Sequence, residues 1–376
     1  MSLDLKRFKF HYGEAAGKIV SRGSERMTGA ARRVRLDDVA SAAGVSTASV
    51  SLVLRNAPGP SAETRRRVLE TARRLGYRPD RAASLLASRR SRLIGLLIDV
   101  RSPFHAEVAE QVLDRAEGRG YDLVLSTITR RRGEDRAVET LLDSRCEGLL
   151  LIGPDAPVPR LAALAASVPV VVLCRRLGED ADGVDVVRVP DTDGTALAVD
   201  HLHGLGHSDI AYLDAGTGTI AQDRREGYLG AMRARGLGAS IRVLPGADGT
   251  ETTGIDATRD LLAADTLPTA VVAFNDRCAV GLLDALQRAG VDVPGTISVM
   301  GYDDDPLSRM AHVNLTTVGQ DTRALGEWAV DAVVERLDGA RAGHREEILA
   351  PYLAVRGTTG PPGHRPALPH RPAGTP

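Results

Sequence analysis

Signatures of catalysis are missing from this 376-residue chain. It holds no GxxxxGK followed by Ser or Thr, no GxSxG nucleophile turn and no HExxH zinc helix. Nothing in it therefore points to phosphoryl transfer, serine hydrolysis or zinc proteolysis, and no cofactor is expected. Aromatic residues make up only 3% of the chain. The three cysteines, Cys146, Cys174 and Cys278, stand alone, without metal-ligand spacing and in odd number. They read as small buried apolar residues in a reducing compartment. No apolar run is long enough to span a membrane. No apolar core precedes Val34, so an export signal is not expected and the chain is read as cytoplasmic.

What is present is a basic head on an acidic body. Residues 1–92 carry 20 Lys and Arg against 8 Asp and Glu, net +12; the remainder carries 28 against 41, net −13. A whole-chain charge of −1 conceals this division. Positive charge confined to one end suits phosphate binding by that end alone.

Within the head, VRLDDVASAAGVSTASVSLVLRNAPGPSAETRRRVLETARRLGYRP reads as three short helices. Two amphipathic segments, residues 36–42 and 47–54, meet at a turn on Gly44 and Val45, where glycine accepts positive φ cheaply. Ser46 stands at the N-cap of the second segment, with an oxygen for its free amides. Thr47, Ala48 and Ser51 then face outward, while Val50, Val53 and Leu54 face inward. This is a helix-turn-helix pattern, whose second helix enters the major groove of DNA. A third helix from Ala62 to about Leu75 follows Ser61 as its cap.

From Leu93 the chain alternates apolar runs with helical stretches. LIGLLIDV, YDLVLST, GLLLIG, VPVVVLC, DIAYLDA, IRVLP, TAVVAF and ISVMGYD read as buried parallel strands. Amphipathic helices lie between them at residues 106–119, 135–144, 194–205, 224–235, 253–264 and 276–289. The fold class is α/β: a small all-α domain, then two doubly wound parallel-sheet subdomains. Ligands of such sheets sit at the carboxyl ends of strands, here the loops after Asp99, Cys174, Asp214, Phe274 and Tyr302.

The chain resembles the LacI family of transcriptional regulators over residues 34–358. The resemblance rests on an ordered series: LDDVASAAGVSTASVS, NAPGPSAETRRRVLETARRLGYRPDRAASLLA, LIGLLI, SPFH, GLLLIG, VPVVVLCR, DRREGYLGAM, FNDRCAVGLLDALQRAGVDVPGTISVMGYDD and TTVGQD. It implies a helix-turn-helix domain at 34–79, a hinge helix and linker at 80–92, and an effector-binding, dimerising core at 93–358, similar to periplasmic binding proteins. It further implies a homodimer on a palindromic operator, controlled by a small molecule that is expected to be a sugar. Residues 1–33 read either as a disordered arm or as sequence upstream of a true start at Met27. Residues 359–376 read as a disordered proline-rich tail.

By the same resemblance, Thr47, Ala48, Ser51, Leu52, Ser61, Thr64, Tyr77, Arg81, Ala83 and Leu86 are the DNA-binding positions. The hinge RAASLL is too short to be stable alone in water. It is expected to fold on DNA, with Leu86 as an apolar wedge in the minor groove. Leu52 departs from a family arginine that reads guanine; leucine reaches only a thymine methyl or the sugar edge. Arg35 stands where a capping threonine is usual, which removes an acceptor worth about 1 kcal/mol. Asp37 and Asp38 partly offset that loss through the helix dipole.

Phe104, Arg175, Arg224, Asn275 and Asp303 match effector-contacting positions. Asp, Asn and Arg side chains grip neighbouring hydroxyls in pairs, and an aromatic face covers a C–H patch. Cys174 replaces a frequent aspartate, which alters one wall of the pocket. His201, His203 and His207 in LHGLGHSDI belong to a helix ending at glycine, and no metal site is read there. A transporter's solute-binding protein would share the core but need a signal peptide and no headpiece.

Overall fold

The computed structural model describes residues 34–54, 57–77, 90–178, 180–341 and 343–363. They form two units, divided between Ser88 and Arg89.

The first unit is a three-helix headpiece: α1 Leu36–Ala43, α2 Thr47–Leu54 and α3 Ala62–Arg74. Each junction follows from a named residue. Gly44 ends α1 at φ 62° and ψ 40°, a left-handed position that glycine occupies without strain. Ser46 Oγ accepts from Ser49 N at 3.1 Å, and Ser61 Oγ accepts from Thr64 N at 3.2 Å. At Arg35 no side-chain cap forms, as expected. Asp38 supplies the other half of a capping box, its carboxylate accepting from the Arg35 amide at 2.7 Å. Val39, Val50, Val53 and Val68 make a small closed core. Arg65 holds the loop after α2, donating to the carbonyls of Val53 and Ala57.

The second unit contains two six-stranded sheets. The first holds β1 Leu93–Asp99, β2 Asp122–Ile128, β3 Gly148–Ile152, β4 Val170–Leu173, β5 Val184–Arg188 and β11 Glu346–Ile348, in the order β11-β5-β4-β3-β1-β2, all parallel. Helices α4 Pro103–Gly118 and α11 Thr322–Leu337 share a core on one face. On the other lie α5 Glu134–Asp143 and α6 Val158–Ala165. The second sheet holds β6 Ile210–Leu213, β7 Arg242–Leu244, β8 Ala270–Ala273, β9 Ser298–Asp303, β10 Thr316–Gly319 and β12 Tyr352–Ala354, in the order β12-β10-β9-β8-β6-β7. Only β12 runs antiparallel. Helices α7 Asp191–Gly204 and α8 Thr219–Ala234 cover one face, α9 Glu251–Ala263 and α10 Asp276–Arg288 the other. The chain passes between the sheets three times: from β5 to α7, from β10 to α11, and from β11 to β12.

Eight strands were expected from the apolar runs; β5, β10, β11 and β12 are additional. Their sequences hide them. In β5 the run is interrupted by Asp185, which is fully buried yet paired with Arg341 at 2.8 Å. In β10 two threonines are buried, and Thr317 donates to Asp276 at 2.6 Å. The other two are three residues long and partly exposed.

The tail also departs from expectation at its start. Thr359 Oγ1 lies 3.0 Å from both His201 Nε2 and Thr316 Oγ1. The Gly360 carbonyl lies 2.8 Å from His207 Nε2, and Ser298 Oγ accepts from its amide. Such bonds anchor residues 359 and 360 to β9 and β10, so the packed core runs past Thr358. They also account for His201 and His207, and no cluster fit for a metal occurs among the described residues.

Candidate functional site

Parallel strands end at one edge of each sheet, and in the second unit those edges line one cleft. Its cavity, about 180 Å³, is lined by Asp99, Phe104 and Cys174 from the first sheet, and by Asp248, Asn275 and Asp303 from the second. Arg224 and Gln320 complete the wall. The expectation for the loops after Asp99, Cys174, Phe274 and Tyr302 agrees with this lining, whereas the loop after Asp214 contributes nothing to it.

Arg224 organises the floor. It does not open its helix, as expected, but lies in the second turn of α8, 5% exposed. Nε donates to Asp191 at 2.7 Å, one terminal nitrogen to the Phe274 carbonyl at 2.6 Å, and the other to Asp303 at 3.2 Å. Its plane lies over the Tyr302 ring, 3.6 Å from the centroid, with Phe274 at 4.7 Å. Burial opposes the charge, but Asp303 and Asp191 outweigh it and keep the guanidinium firmly protonated. Fixed this way, arginine keeps two N–H groups beyond those three bonds.

Asp303 is the strained member. It sits at φ 117°, where a side-chain-bearing residue is uncommon. Its Oδ1 accepts from both Arg224 and Gln320 Nε2, the latter at 3.0 Å. Among the described residues Oδ2 has no hydrogen-bond donor. Burial lifts its carboxyl to about 6 although Arg224 pulls the other way. Asn275 caps α10, accepting from Cys278 N at 2.9 Å, and its amide donates to the Gly249 carbonyl. It lines the cavity with most of its bonding already committed. Phe104 is buried there near the start of α4.

Arg175 corrects an expectation. It does not line the cavity; its guanidinium donates to the carbonyls of Pro154 and Ala156, holding the loop after β3. The residue before it, Cys174, does form the wall, in a left-handed conformation at φ 62°.

Several lining residues were missed. Asp99 takes a two-pronged contact from Arg101, at 3.0 and 2.6 Å. Arg277 pairs likewise with Glu251. Asp248 accepts from Thr250 and Thr253. The one available sequence signal was position, since Asp99 ends β1, Arg101 lies two residues beyond it and Gln320 directly follows β10. Two further ion pairs straddle the cleft: Arg176 with Asp223 on α8, at 3.1 and 2.8 Å, and Glu107 on α4 with Arg309, at 2.9 and 3.3 Å.

His105 gives the site a pH dependence. Its Nδ1 accepts from Asp99 N at 3.0 Å, which assigns the proton to Nε2, and burial pushes its pKa down to about 4. The unfolded chain therefore takes up this proton first. Stability from a neutral His105 is complete above pH 6.5 and declines as pH falls toward 4. Asp303, with a raised pKa, acts in the opposite sense, so the two must be separated. The stability difference between wild type and His105→Gln is expected to shrink by about 2 kcal/mol from pH 7.5 to pH 5. Urea unfolding of both proteins at each pH measures it; a constant difference would refute it.

In the headpiece, Thr47 and Ala48 are exposed, while Ser51 and Leu52 are half-buried on the same side of α2. Ser61 donates to Thr64 Oγ1 at 3.0 Å at the start of α3, and Tyr77 packs against the headpiece core. Arg81, Ala83 and Leu86 lie outside the described residues.

Residues 35–80 match the model of bacterial regulatory proteins of the lacI family, and residues 199–359 match a periplasmic binding protein-like domain. The ribose operon repressor of Escherichia coli K12 is 34% identical over 335 residues, 86% of this chain and 99% of that protein. The chain belongs to the LacI family. A solved LacI transcriptional regulator from a Rhodococcus species is 45% identical, with a TM-score of 0.69, covering 72% of this chain and all of that one. The lac repressor dimer bound to operator and an anti-inducer is 30% identical with a TM-score of 0.76, covering 88% and 100%. As a LacI-family protein, this chain is a DNA-binding transcriptional regulator: the headpiece is its operator-reading part and the two-sheet unit its periplasmic-binding-protein-like part. No helix among the described residues is long and apolar enough to cross a membrane.

Proposed function

We propose that this LacI-family regulator is a homodimeric repressor whose affinity for a palindromic operator is set by a sugar bound in the cleft. Asp303 carries the reading. A carboxylate held at one oxygen by Arg224 and Gln320, on strained backbone, offers its other oxygen to a hydroxyl. Arg224 has N–H groups left for a neighbouring oxygen, and the Phe104 and Phe274 rings provide apolar surface. Fixed donors and acceptors beside aromatic rings suit a compact polyol. Charges in the wall are paired, Asp99 with Arg101 inside it and Arg277 with Glu251 just behind it, which favours a neutral ligand. The protein works in the cytoplasm, on the nucleoid, and catalyses nothing. A transporter's binding protein has no use for a headpiece, and the relatives support the regulator.

The test is a thermal-shift panel of neutral monosaccharides and disaccharides on the full chain. The sugar that shifts wild type is then titrated against Asp303→Asn. At least tenfold weaker sugar binding is expected, with operator affinity unchanged within twofold in mobility shifts. An undiminished sugar response would remove Asp303 from the pocket.

A further inference from the structure

The recognition helix contains none of the side chains that usually read DNA bases. From Ser46 to Leu54 the sequence STASVSLVL has no Arg, Lys, Asn, Gln, Asp or Glu. In the major groove, guanine is read by paired donors from Arg or Lys, and adenine by the amide of Asn or Gln. Within α2 neither contact can be made.

The outward side of α2 carries no charge and no amide, only the hydroxyls of Thr47 and Ser51 beside apolar groups. Val50 and Val53 are buried in the headpiece core, and Leu54 packs against it. Ala48 is exposed, and Leu52, one turn further on, is half-buried but not part of that core. Across the loop, a Cβ added at Gly59 would come 3.8 Å from Leu52 Cδ1. Thr47, also exposed, adds a methyl group beside Ala48. The hydroxyls of Ser46 and Ser49 are 3.0 Å apart and engaged with one another at the cap. Thr47, Ala48 and Leu52 thus lie on one outward arc of the helix with Ser51 among them, Ser51 one turn beyond Thr47 and Leu52 one turn beyond Ala48.

Among the four bases only thymine presents an apolar group, its 5-methyl, in the major groove. We propose that α2 reads its operator chiefly through thymine 5-methyl groups, with Thr47, Ala48 and Leu52 making the contacts. Specificity then comes from burying methyl on methyl, a term near 0.8 kcal/mol per group, or about fourfold. Discrimination at each such position is weaker than a bidentate pair provides. The inference rests on α2 entering the major groove, as family membership requires.

Operator duplexes are first selected from a random library with the full chain. In the best sequence each thymine is then replaced singly by deoxyuridine, which removes the methyl and leaves pairing intact. Substitution at one or more thymines per half-site is expected to weaken wild-type binding about three- to tenfold. The Leu52→Ala protein, a change at a half-exposed position, should lose most of that penalty at one thymine, and Thr47→Ser should lose it at another. Circular dichroism establishes that both variants fold. Equal binding of methylated and unmethylated operators, or a deoxyuridine penalty that neither variant changes, overturns the inference. Failure to enrich any sequence would sink the operator reading, and this inference with it.

Discussion

Replacing Arg224 with alanine is expected to destabilise the two-sheet unit by about 3–5 kcal/mol, the range for removing one partner of a buried ion pair. Two carboxylates depend on this guanidinium. Asp191 is 6% exposed and Asp303 little more, and both already have raised pKa values from burial. Without Arg224 both must ionise unpaired or take up protons, and the Phe274 carbonyl loses a donor as well. The rings of Tyr302 and Phe274 would flank a hole the size of a guanidinium. Protonating the stranded carboxylates relieves part of the cost, so the deficit should be larger at pH 8 than at pH 6. Urea unfolding at both values measures it. A loss under 1 kcal/mol, or one that grows on acidification, would show that the pair is not the support described here. Arg224 is consequently a poor probe of effector binding, because its removal damages the scaffold. Asp303→Asn keeps the shape and one acceptor and is the cleaner variant.

Local rules made the headpiece legible. Gly44, Ser46 and Ser61 each act through the next three residues, so capping chemistry locates the helices without knowledge of the remainder. The eight apolar strands were equally plain, because a strand buried on both faces must be apolar throughout. Other elements depend on distant partners. Asp185 can stand in β5 because Arg336, Arg341 and the Arg345 amide, all far along the chain, reach it. The threonine hydroxyls of β10 are satisfied by Asp276 and Thr359, and Thr358 accepts from the Thr316 amide. Motif matching placed Arg224, Asn275, Asp303 and Phe104 around one cavity, but it could not tell which way a side chain turns. Arg175 follows a strand like the true lining residues and points to the loop behind it. Asp248 and Gln320 join the site because three crossovers bring separate loops together, which no local pattern records.

The ion pairs across the cleft should make its opening sensitive to charge, even with no ligand bound. The pairs have opposite polarity. The first-sheet side supplies the cation in Arg176–Asp223 and the anion in Glu107–Arg309. In each pair the carboxylate is the less exposed member. Asp223→Asn and Glu107→Gln therefore release the latches, leaving Arg176 half-exposed and Arg309 held by Asp304 on its own side. Cys174 is a ready-made reporter. It lines the cavity while packing into the first-sheet core, whereas Cys146 and Cys278 do not line it. Alkylation at Cys174, followed by peptide mass spectrometry, should be faster in each single variant. Pairs of this kind contribute up to about 1 kcal/mol each, so the double variant should react roughly ten- to thirtyfold faster at low salt. Added salt screens the same attractions. Raising sodium chloride to half molar should speed the wild type and narrow its gap to the double variant. Cys146, as little exposed as Cys174, and Cys278 do not line the cavity, so each should react at one rate in all four proteins, which separates cleft opening from unfolding. Labelling of Cys174 at one rate in all four proteins, independent of salt, would mean that these pairs do not hold the cleft closed.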